Sequence, residues 1–157
     1  MTSSEEAWSD LSPPWPHATS RRVLVAEDDA AMRDIVSLVL RERGCQVEAV
    51  STGSELLSAL GQVNQKGPPA QRFDLIVTDV RMPGASGLDA VDQLRRAGDM
   101  TPVIAVTAFP HPATRQRARR LEIELVAKPF ALQTLRNAVD AALASLGPRT
   151  AHRQWES

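Results

Sequence analysis

The sequence predicts an α/β domain in which one parallel sheet of five strands carries helices on both faces. Short apolar segments recur five times along the chain, and a segment with helical character follows each of them. Strands that alternate with helices pair in parallel, and right-handed crossovers limit the possible topologies. We expect the strands at Val23–Glu27, Gln46–Val50, Leu75–Asp79, Pro102–Thr107 and Leu125–Lys128.

Three of the five expected helices are indicated by an apolar stripe followed by a glycine, the residue that commonly ends a helix. The stripes are Met32, Ile35, Val39 and Leu40 before Gly44, then Leu88, Val91 and Leu94 before Gly98, and finally Leu132, Leu135, Val139, Leu143 and Leu146 before Gly147. A short second helix is expected from Ser54 to Leu60, ahead of a turn-rich loop.

The fourth helix, expected from Ala113 to Glu122, is poorly amphipathic. Its apolar residues are Ala113, Ala118 and Leu121, and its four arginines are Arg115, Arg117, Arg119 and Arg120. Because helices in proteins are stabilised mainly by packing an apolar face, we expect this helix to be weakly held. The arginines could bind nucleic acid, but a solvated helix face is the favoured interpretation.

Composition narrows the function classes. The chain has 157 residues, 43% of them hydrophobic, and a formal net charge of −1, which argues against a general nucleic-acid or membrane-surface protein. The one cysteine, Cys45, cannot form an internal disulfide and is expected to be buried at the start of a strand. No run of about 20 apolar residues is long enough to span a bilayer, so we expect a cytoplasmic protein without membrane contact.

The predicted domain occupies residues 21–147. Residues 1–20 are rich in Ser and Pro and are expected to form a disordered tail, in which Trp8 and Trp15 could be docking points. Residues 148–157 are expected to form a short C-terminal tail. Since only eleven residues follow Leu146, we expect a stand-alone domain with no DNA-binding or enzymatic output domain.

Polar residues gather at the predicted strand ends. The first strand ends in Glu27, Asp28 and Asp29, and the third ends in Asp79, which a Met-Pro-Gly turn follows. In parallel sheets ligands bind beyond the carboxyl ends of the strands, so these acids are expected at the functional edge. Crowded carboxylates raise one another's pKa, and a hard cation such as Mg²⁺ removes that conflict.

Two further strand ends suit phosphate chemistry. Thr107 ends the fourth strand and Lys128 the fifth, and a hydroxyl donor and a compact cation both suit phosphoryl oxygens. With Mg²⁺ polarising a phosphoryl group, Asp79 could act as the nucleophile. Each feature alone has an ordinary structural explanation, such as a solvated helix start for the acid pair. Their joint order on the strand ends favours phosphoryl transfer.

From Arg22 to about Leu146 the chain resembles the receiver domain of two-component response regulators. The matching residues are the acid pair Glu27 and Asp28, the phosphoacceptor Asp79 with "MPGASG" behind it, Thr107, and Lys128 followed by Pro129. The resemblance implies a flavodoxin-like fold with strand order 2-1-3-4-5. It also implies Mg²⁺ held by Asp28, Asp79 and the backbone carbonyl of Arg81, with Glu27 acting through water.

The resemblance further implies a function and partners. The chain would be phosphorylated on Asp79 by a sensor histidine kinase or a histidine phosphotransfer protein, and would catalyse only its own phosphorylation and dephosphorylation. Its downstream protein target would bind the face formed by the fourth helix, fifth strand and fifth helix, and no direct DNA binding is expected. A phosphotransfer intermediate or phosphate sink, without output of its own, is the alternative.

The chain departs from the family pattern in the region that transmits the signal. Leu125 stands where an aromatic switch residue is frequent, and Leu121 and Glu122 replace a usual Gly-Ala pair. Pro110 and His111 occupy positions where a glycine and an acid are common. These changes leave the phosphorylation residues intact and bear on how the fourth helix and fifth strand respond.

Two enzyme-like or ligand-binding alternatives are disfavoured by single stretches of sequence. An Asp-nucleophile phosphatase of the haloacid dehalogenase kind would place a second acid two residues after the nucleophile, where this chain has Arg81. A nucleotide-binding module would want a Gly- or Ser/Thr-rich turn after the first strand, where this chain has the acidic "EDDAA".

Overall fold

Five strands alternate with five helices in the computed structural model, which describes residues 20–61, 71–108 and 110–146. The strands are β1 (Arg22–Ala26), β2 (Gln46–Val50), β3 (Leu75–Asp79), β4 (Val103–Thr107) and β5 (Glu124–Ala127). The helices are α1 (Ala30–Glu42), α2 (Gly53–Ala59), α3 (Gly87–Arg96), α4 (Pro112–Arg120) and α5 (Leu132–Leu146). Each predicted element is therefore present, and wherever bounds were predicted the ends differ by at most two residues.

All neighbouring strands pair in parallel, in the order β2-β1-β3-β4-β5, which confirms the expected topology. Every residue of β3 and β4 is buried, whereas the edge strands β2 and β5 are largely exposed. Ala26 of β1 lies beside Thr78 of β3, and Asp79 lies beside Val106 of β4. The carboxyl ends of the strands consequently meet at one edge, where Glu27 and Asp79 become neighbours.

Two hydrophobic clusters lie on opposite faces of the sheet. On one face α2 and α3 cover alternate strand residues such as Leu24, Ile76 and Ala105. On the other face α1 and α5 cover the intervening residues, among them Val25 and Val77. Because successive strand side chains point to opposite faces, the continuous apolar runs supply both clusters at once.

The apolar stripe predicted for α1 was partly wrong. Ile35 is 41% exposed and Leu38 is 56% exposed, while Val36 joins Val39 and Leu40 in the core. Apolar residues are nearly continuous from 35 to 40, so periodicity alone does not decide which of them face the sheet. Similarly, Leu135 and Val139 of α5 are fully buried, but Leu132, at the start of the stripe, is 37% exposed.

Helix ends follow the expected local chemistry. Gly44 and Gly98 have φ of 81° and 86° just after α1 and α3, the left-handed conformation in which glycine is least strained. Thr52 and Glu55 form a reciprocal capping box at the start of α2. Cys45 is buried immediately before β2, as predicted.

Several predictions concern residues outside the described ranges. These are the two tails with Trp8 and Trp15, the end of α5 at Gly147, and most of the loop after α2. The domain boundaries 21–147 accordingly stay a prediction. Among the described residues, no helix combines the length and the apolar character needed to cross a bilayer.

A glycine behind Asp79 should be intolerant of any side chain. A Cβ on Gly87 would collide with the Asp79 backbone carbonyl and lie 2.7 Å from Thr78 Oγ1. We expect Gly87→Ala to lower the free energy of unfolding by about 1–3 kcal/mol, the usual cost of overpacking. Urea unfolding would measure this. The control is Gly61→Ala, whose added methyl meets nothing within 4 Å; equal effects of the two substitutions would contradict the prediction.

Candidate functional site

Three carboxylates meet where β1 and β3 end. Glu27 and Asp28 follow β1, Asp79 is the last residue of β3, and each offers an oxygen within 4.8 Å of the others. Glu27 and Asp79 are buried, whereas Asp28 is exposed. The structure therefore brings together the acids that the sequence predicted at this edge. Asp29 has a different part: its side chain accepts the backbone N–H of Met32 and caps α1.

Lys128 crosses the end of β4 to reach the carboxylates. Its Nζ lies 3.0 Å from Glu27 Oε1 and 3.0 Å from Asp79 Oδ2, and its side chain is mostly buried. The Lys128 backbone N–H donates to the Thr107 carbonyl at 2.7 Å, which holds the end of β5 against β4. One ammonium group thus neutralises charge on two acids from different strands.

Burial and crowding shift the protonation of this cluster. Burial, together with a hydrogen bond to Asp79, raises the pKa of Glu27 from 4.5 to about 7, even though Lys128 and the Asp29 N–H work in the opposite direction. For Lys128, burial lowers the pKa, but the hydrogen bonds that its ammonium donates to Asp79 and Glu27 outweigh burial, so that the pKa is raised. The cluster thus pairs a charged ammonium with a buried carboxyl, Glu27, that keeps its proton to higher pH than a solvent-exposed glutamate does.

This donor set fits a hard divalent cation. Mg²⁺ prefers oxygen ligands and is commonly bound by one or two carboxylates with several waters retained. Here two carboxylates are buried, while Asp28 opens the cluster to solvent. A cation would replace the proton that burial and the nearby Asp79 favour on Glu27. The ligand assignment itself, including the Arg81 carbonyl, stays a prediction.

Backbone contacts orient the Asp79 carboxylate. The Arg81 N–H donates to Asp79 Oδ1 at 3.2 Å, while the Arg81 side chain is exposed. The turn after Asp79 is held by Gly53, whose N–H donates to the Pro83 carbonyl at 2.9 Å, and by Gly87, whose N–H donates to the Val80 carbonyl at 3.0 Å. One carboxylate oxygen is consequently held by an amide and the other by Lys128.

Thr107 occupies the position expected of it. It is the last residue of β4, is 2% exposed, and pairs in register with Ala127, the residue before Lys128. It therefore lies between the strand that carries Asp79 and the strand that leads to Lys128. Its part in phosphoryl binding stays a prediction.

Sequence reasoning missed two contacts that support the site. The Arg33 guanidinium of α1 donates to the Glu27 carbonyl at 2.8 Å, and the Asp29 N–H donates to Glu27 Oε2 at 3.2 Å. Sequence reasoning also missed the tight packing of Gly53, where an added Cβ would collide with the Ala85 backbone. A Thr-Gly-x-Glu cap could have signalled the start of α2 but not its contact with the distant turn.

A model of the response regulator receiver domain matches residues 23–140. The chain belongs to this family. Receiver domains are generally non-enzymatic switches of two-component signalling, and phosphoaspartate and Mg²⁺ at the acidic pocket are general features of the family. They interact with histidine kinases and with output partners. The resemblance to receiver domains seen in the sequence is confirmed.

Relatives of known function support this membership. The chain is 32% identical over 142 residues to the alkaline phosphatase synthesis transcriptional regulatory protein SphR of Synechococcus elongatus, covering 86% of this chain and 54% of SphR. It is 35% identical over 136 residues to the phosphate regulon transcriptional regulatory protein PhoB of Escherichia coli, covering 82% of this chain and 54% of PhoB. The chain thus spans about half the length of these curated relatives.

Solved structures agree on the fold. The chemotaxis response regulator CheY4 of Vibrio cholerae is 30% identical, with a TM-score of 0.65 over 79% of this chain and 99% of CheY4. A CheY-like receiver domain protein of Methanospirillum hungatei shares 19% identity with a TM-score of 0.70, over 82% of this chain and 97% of its own. The flavodoxin-like fold with strand order 2-1-3-4-5 is confirmed.

The raised pKa of Glu27 predicts a pH dependence of stability. Between pH 4.5 and about 7 the folded chain retains a proton that the unfolded chain releases, so this group's stabilisation is complete below 4.5 and is lost as pH rises to about 7. In EDTA, the free energy of unfolding of the wild type relative to Glu27→Gln should therefore fall across that range and level off above it. Urea unfolding at a series of pH values checks this; a flat or rising difference would contradict it.

Proposed function

We propose that this chain is the phosphoacceptor switch of a two-component phosphorelay, phosphorylated on Asp79 by a sensor histidine kinase or a histidine phosphotransfer protein with Mg²⁺. The observation that carries the proposal is the setting of Asp79: Lys128 and the Arg81 N–H each hold one oxygen of its carboxylate, beside two further acids. A nucleophile held in this way needs little further organisation before attack.

In the proposed reaction an Asp79 oxygen attacks the phosphorus of a phosphohistidine. A P–O bond forms as the P–N bond breaks, and the donor imidazole leaves with the electron pair and is protonated. Asp28, Asp79 and the Arg81 carbonyl would hold Mg²⁺ directly and Glu27 would hold it through water; when bound, the ion would supply charge neutralisation at the phosphoryl oxygens. The Lys128 ammonium would shift its hydrogen bond from the Asp79 carboxylate to an oxygen of the new phosphoryl group.

Two residues would convert phosphorylation into a change of shape. A charge-assisted hydrogen bond contributes about 1.5–3 kcal/mol, and shifting a two-state equilibrium from 1:99 to 99:1 needs about 5.5 kcal/mol. Thr107 would form a new bond of this kind, whereas Lys128 already pairs with Asp79 and would contribute only the gain from a more highly charged acceptor, so either contribution alone falls short. Thr107 directly precedes the loop that leads to α4, so its movement would displace the start of that helix.

We place the output on the face of α4, β5 and α5, as the resemblance implies. Few apolar residues anchor α4: Ala118 and Leu121 are buried, but Ala113, expected as a third anchor, is exposed. After α4, Glu122 adopts a φ of 57°, a conformation that costs a non-glycine residue free energy. These features support α4 as the element that changes position.

The four arginines of α4 do not all lie on a solvated face, as the sequence suggested. Arg117 Nη2 lies 2.7 Å from Asp89 Oδ1 and 3.8 Å from Asp92 Oδ2 of α3. Because the sequence does not reveal which side of α4 faces α3, this pairing could not be foreseen. It ties α4 to α3 through exposed charges, which is a weak attachment.

Phosphorylation should require both Asp79 and a divalent cation. After incubation with acetyl phosphate and Mg²⁺, mass spectrometry should detect one added phosphoryl group, which is absent in Asp79→Asn and after chelation by EDTA. Asp28→Asn should raise the Mg²⁺ concentration needed for labelling, because it removes a carboxylate ligand. The matched control is Asp34→Asn, an exposed acid on α1. Labelling that survives chelation would remove the metal from the mechanism.

Lys128→Ala should separate labelling from signalling. The nucleophile and the acids remain, so the variant should still accept a phosphoryl group, although more slowly. In the wild type, amides of residues 113–126 should exchange hydrogen rapidly and slow down on phosphorylation, because α4 is weakly held beforehand. The variant should show no such slowing. A wild-type response in Lys128→Ala would refute the role of the lysine. Uniformly slow exchange of residues 113–126 in the wild type, with or without phosphorylation, would refute the role of α4 as the element that moves.

A further inference from the structure

Arg33 of α1 holds the stretch of backbone that carries two of the three acids. Its Nη1 donates at 2.8 Å to the carbonyl of Glu27, which belongs to the peptide unit that joins Glu27 to Asp28. Helical side chains lean toward the N-terminus of their helix, so an arginine at the fourth position of α1 reaches back to the end of β1. Arg33 is half-buried, which shields this hydrogen bond from water in part.

Asp28 has no comparable support of its own. It is exposed, and in the part of the chain that the structure describes its carboxylate accepts no hydrogen bond. By contrast, the Glu27 carboxylate is held by Lys128 and by the Asp29 N–H, and the Asp29 carboxylate caps α1. The direction in which the Asp28 side chain leaves the backbone therefore depends on the peptide unit that Arg33 holds.

We propose that Arg33 is a positioning residue for Mg²⁺. By fixing the peptide between Glu27 and Asp28, it keeps an oxygen of Asp28 within 4.8 Å of the oxygens of Glu27 and Asp79. Arginine suits this task, because its guanidinium is always charged and donates in fixed directions. The inference rests on the proposed function, since it takes these acids to be the metal ligands.

The charge of Arg33 acts in the opposite direction to its hydrogen bond. A guanidinium beside the acidic pocket repels a divalent cation, and a positive charge near the start of a helix is itself disfavoured by the helix dipole. If Arg33 acted on the pocket through its charge alone, removing it would strengthen Mg²⁺ binding. If it acts by orienting Asp28, removing it weakens Mg²⁺ binding, so the two roles predict effects of opposite sign.

The experiment is a Mg²⁺ titration of the full chain at constant ionic strength, followed by ¹H–¹⁵N NMR spectra, which report both the affinity and the state of the fold. Arg33→Met removes the donor and the charge but keeps an unbranched apolar stem. It should weaken Mg²⁺ binding about tenfold, the lower end of the usual effect of removing a group that orients a metal ligand. The matched control is Arg41→Met, which removes an exposed arginine from the other end of α1 and should leave the affinity unchanged.

Arg33→Lys separates the hydrogen bond from the charge. Its ammonium keeps the charge and can donate one hydrogen bond to the Glu27 carbonyl, so this variant should bind Mg²⁺ more tightly than Arg33→Met does. Charge alone predicts the reverse order, because the lysine variant retains the repulsion that the methionine variant has lost.

Equal or tighter binding of Mg²⁺ by Arg33→Met than by the wild type would overturn the proposal, and so would weaker binding by Arg33→Lys than by Arg33→Met. A loss of affinity accompanied by chemical-shift changes throughout the sheet would also overturn it, because the cause would then be a general disturbance of the fold. The wild type keeps the two proposals separate. If it binds Mg²⁺ and is labelled on Asp79 while Arg33→Met binds Mg²⁺ equally well, only the role of Arg33 is refuted; if the wild type binds no Mg²⁺, the metal site of the proposed function is refuted as well.

Discussion

The ion pairs from Lys128 to Glu27 and Asp79 require the carboxyl ends of β1, β3, β4 and β5 to lie side by side, and much of the rest of the fold maintains that arrangement. Both acids are buried and close together, which disfavours charge on both; a single ammonium 3.0 Å from each offsets this. The ammonium comes from β5, so β4 and β5 must stay paired in register for it to arrive. Breaking such a cluster by removing one partner is costly, because it leaves a buried charge without compensation. The strand order is in this sense an electrostatic requirement as well as a packing solution.

The turn after Asp79 connects that cluster to the helices. Gly53 at the start of α2 and Gly87 at the start of α3 both donate to carbonyls of the turn. α3 then contacts α4 through Asp89 and Arg117, and Arg95 of α3 donates to the Leu121 carbonyl at the end of α4. A displacement of the turn can therefore reach α4 through α3 as well as through β4. Polar contacts link the turn to α3 and α3 to α4, and Val80, Leu88 and Leu121 also share one apolar core cluster.

Sequence reasoning was strongest where one physical rule fixed the outcome. Apolar runs alternating with helical segments require a parallel sheet, and a parallel sheet brings its strand ends together, so the meeting of Glu27, Asp79 and Lys128 could be foreseen. It was weaker where the outcome depends on how helices are rotated and docked. The exposure of Ile35, the pairing of Arg117 with Asp89 and the left-handed Glu122 all follow from tertiary packing. Local periodicity contains no information about such contacts.

The two edges of the sheet also bear on whether another chain can add a strand to it. An open strand edge is a template on which another chain can add a strand, and long apolar edges lead to aggregation. Here β2 has five residues and β5 has four, and each carries an exposed glutamate, Glu48 in β2 and Glu124 in β5. If two copies met edge to edge at β5, like charges would be brought together over a strand too short to repay the desolvation of its backbone. The exposed acids and the short strands therefore make both edges of the sheet poor templates for a growing sheet.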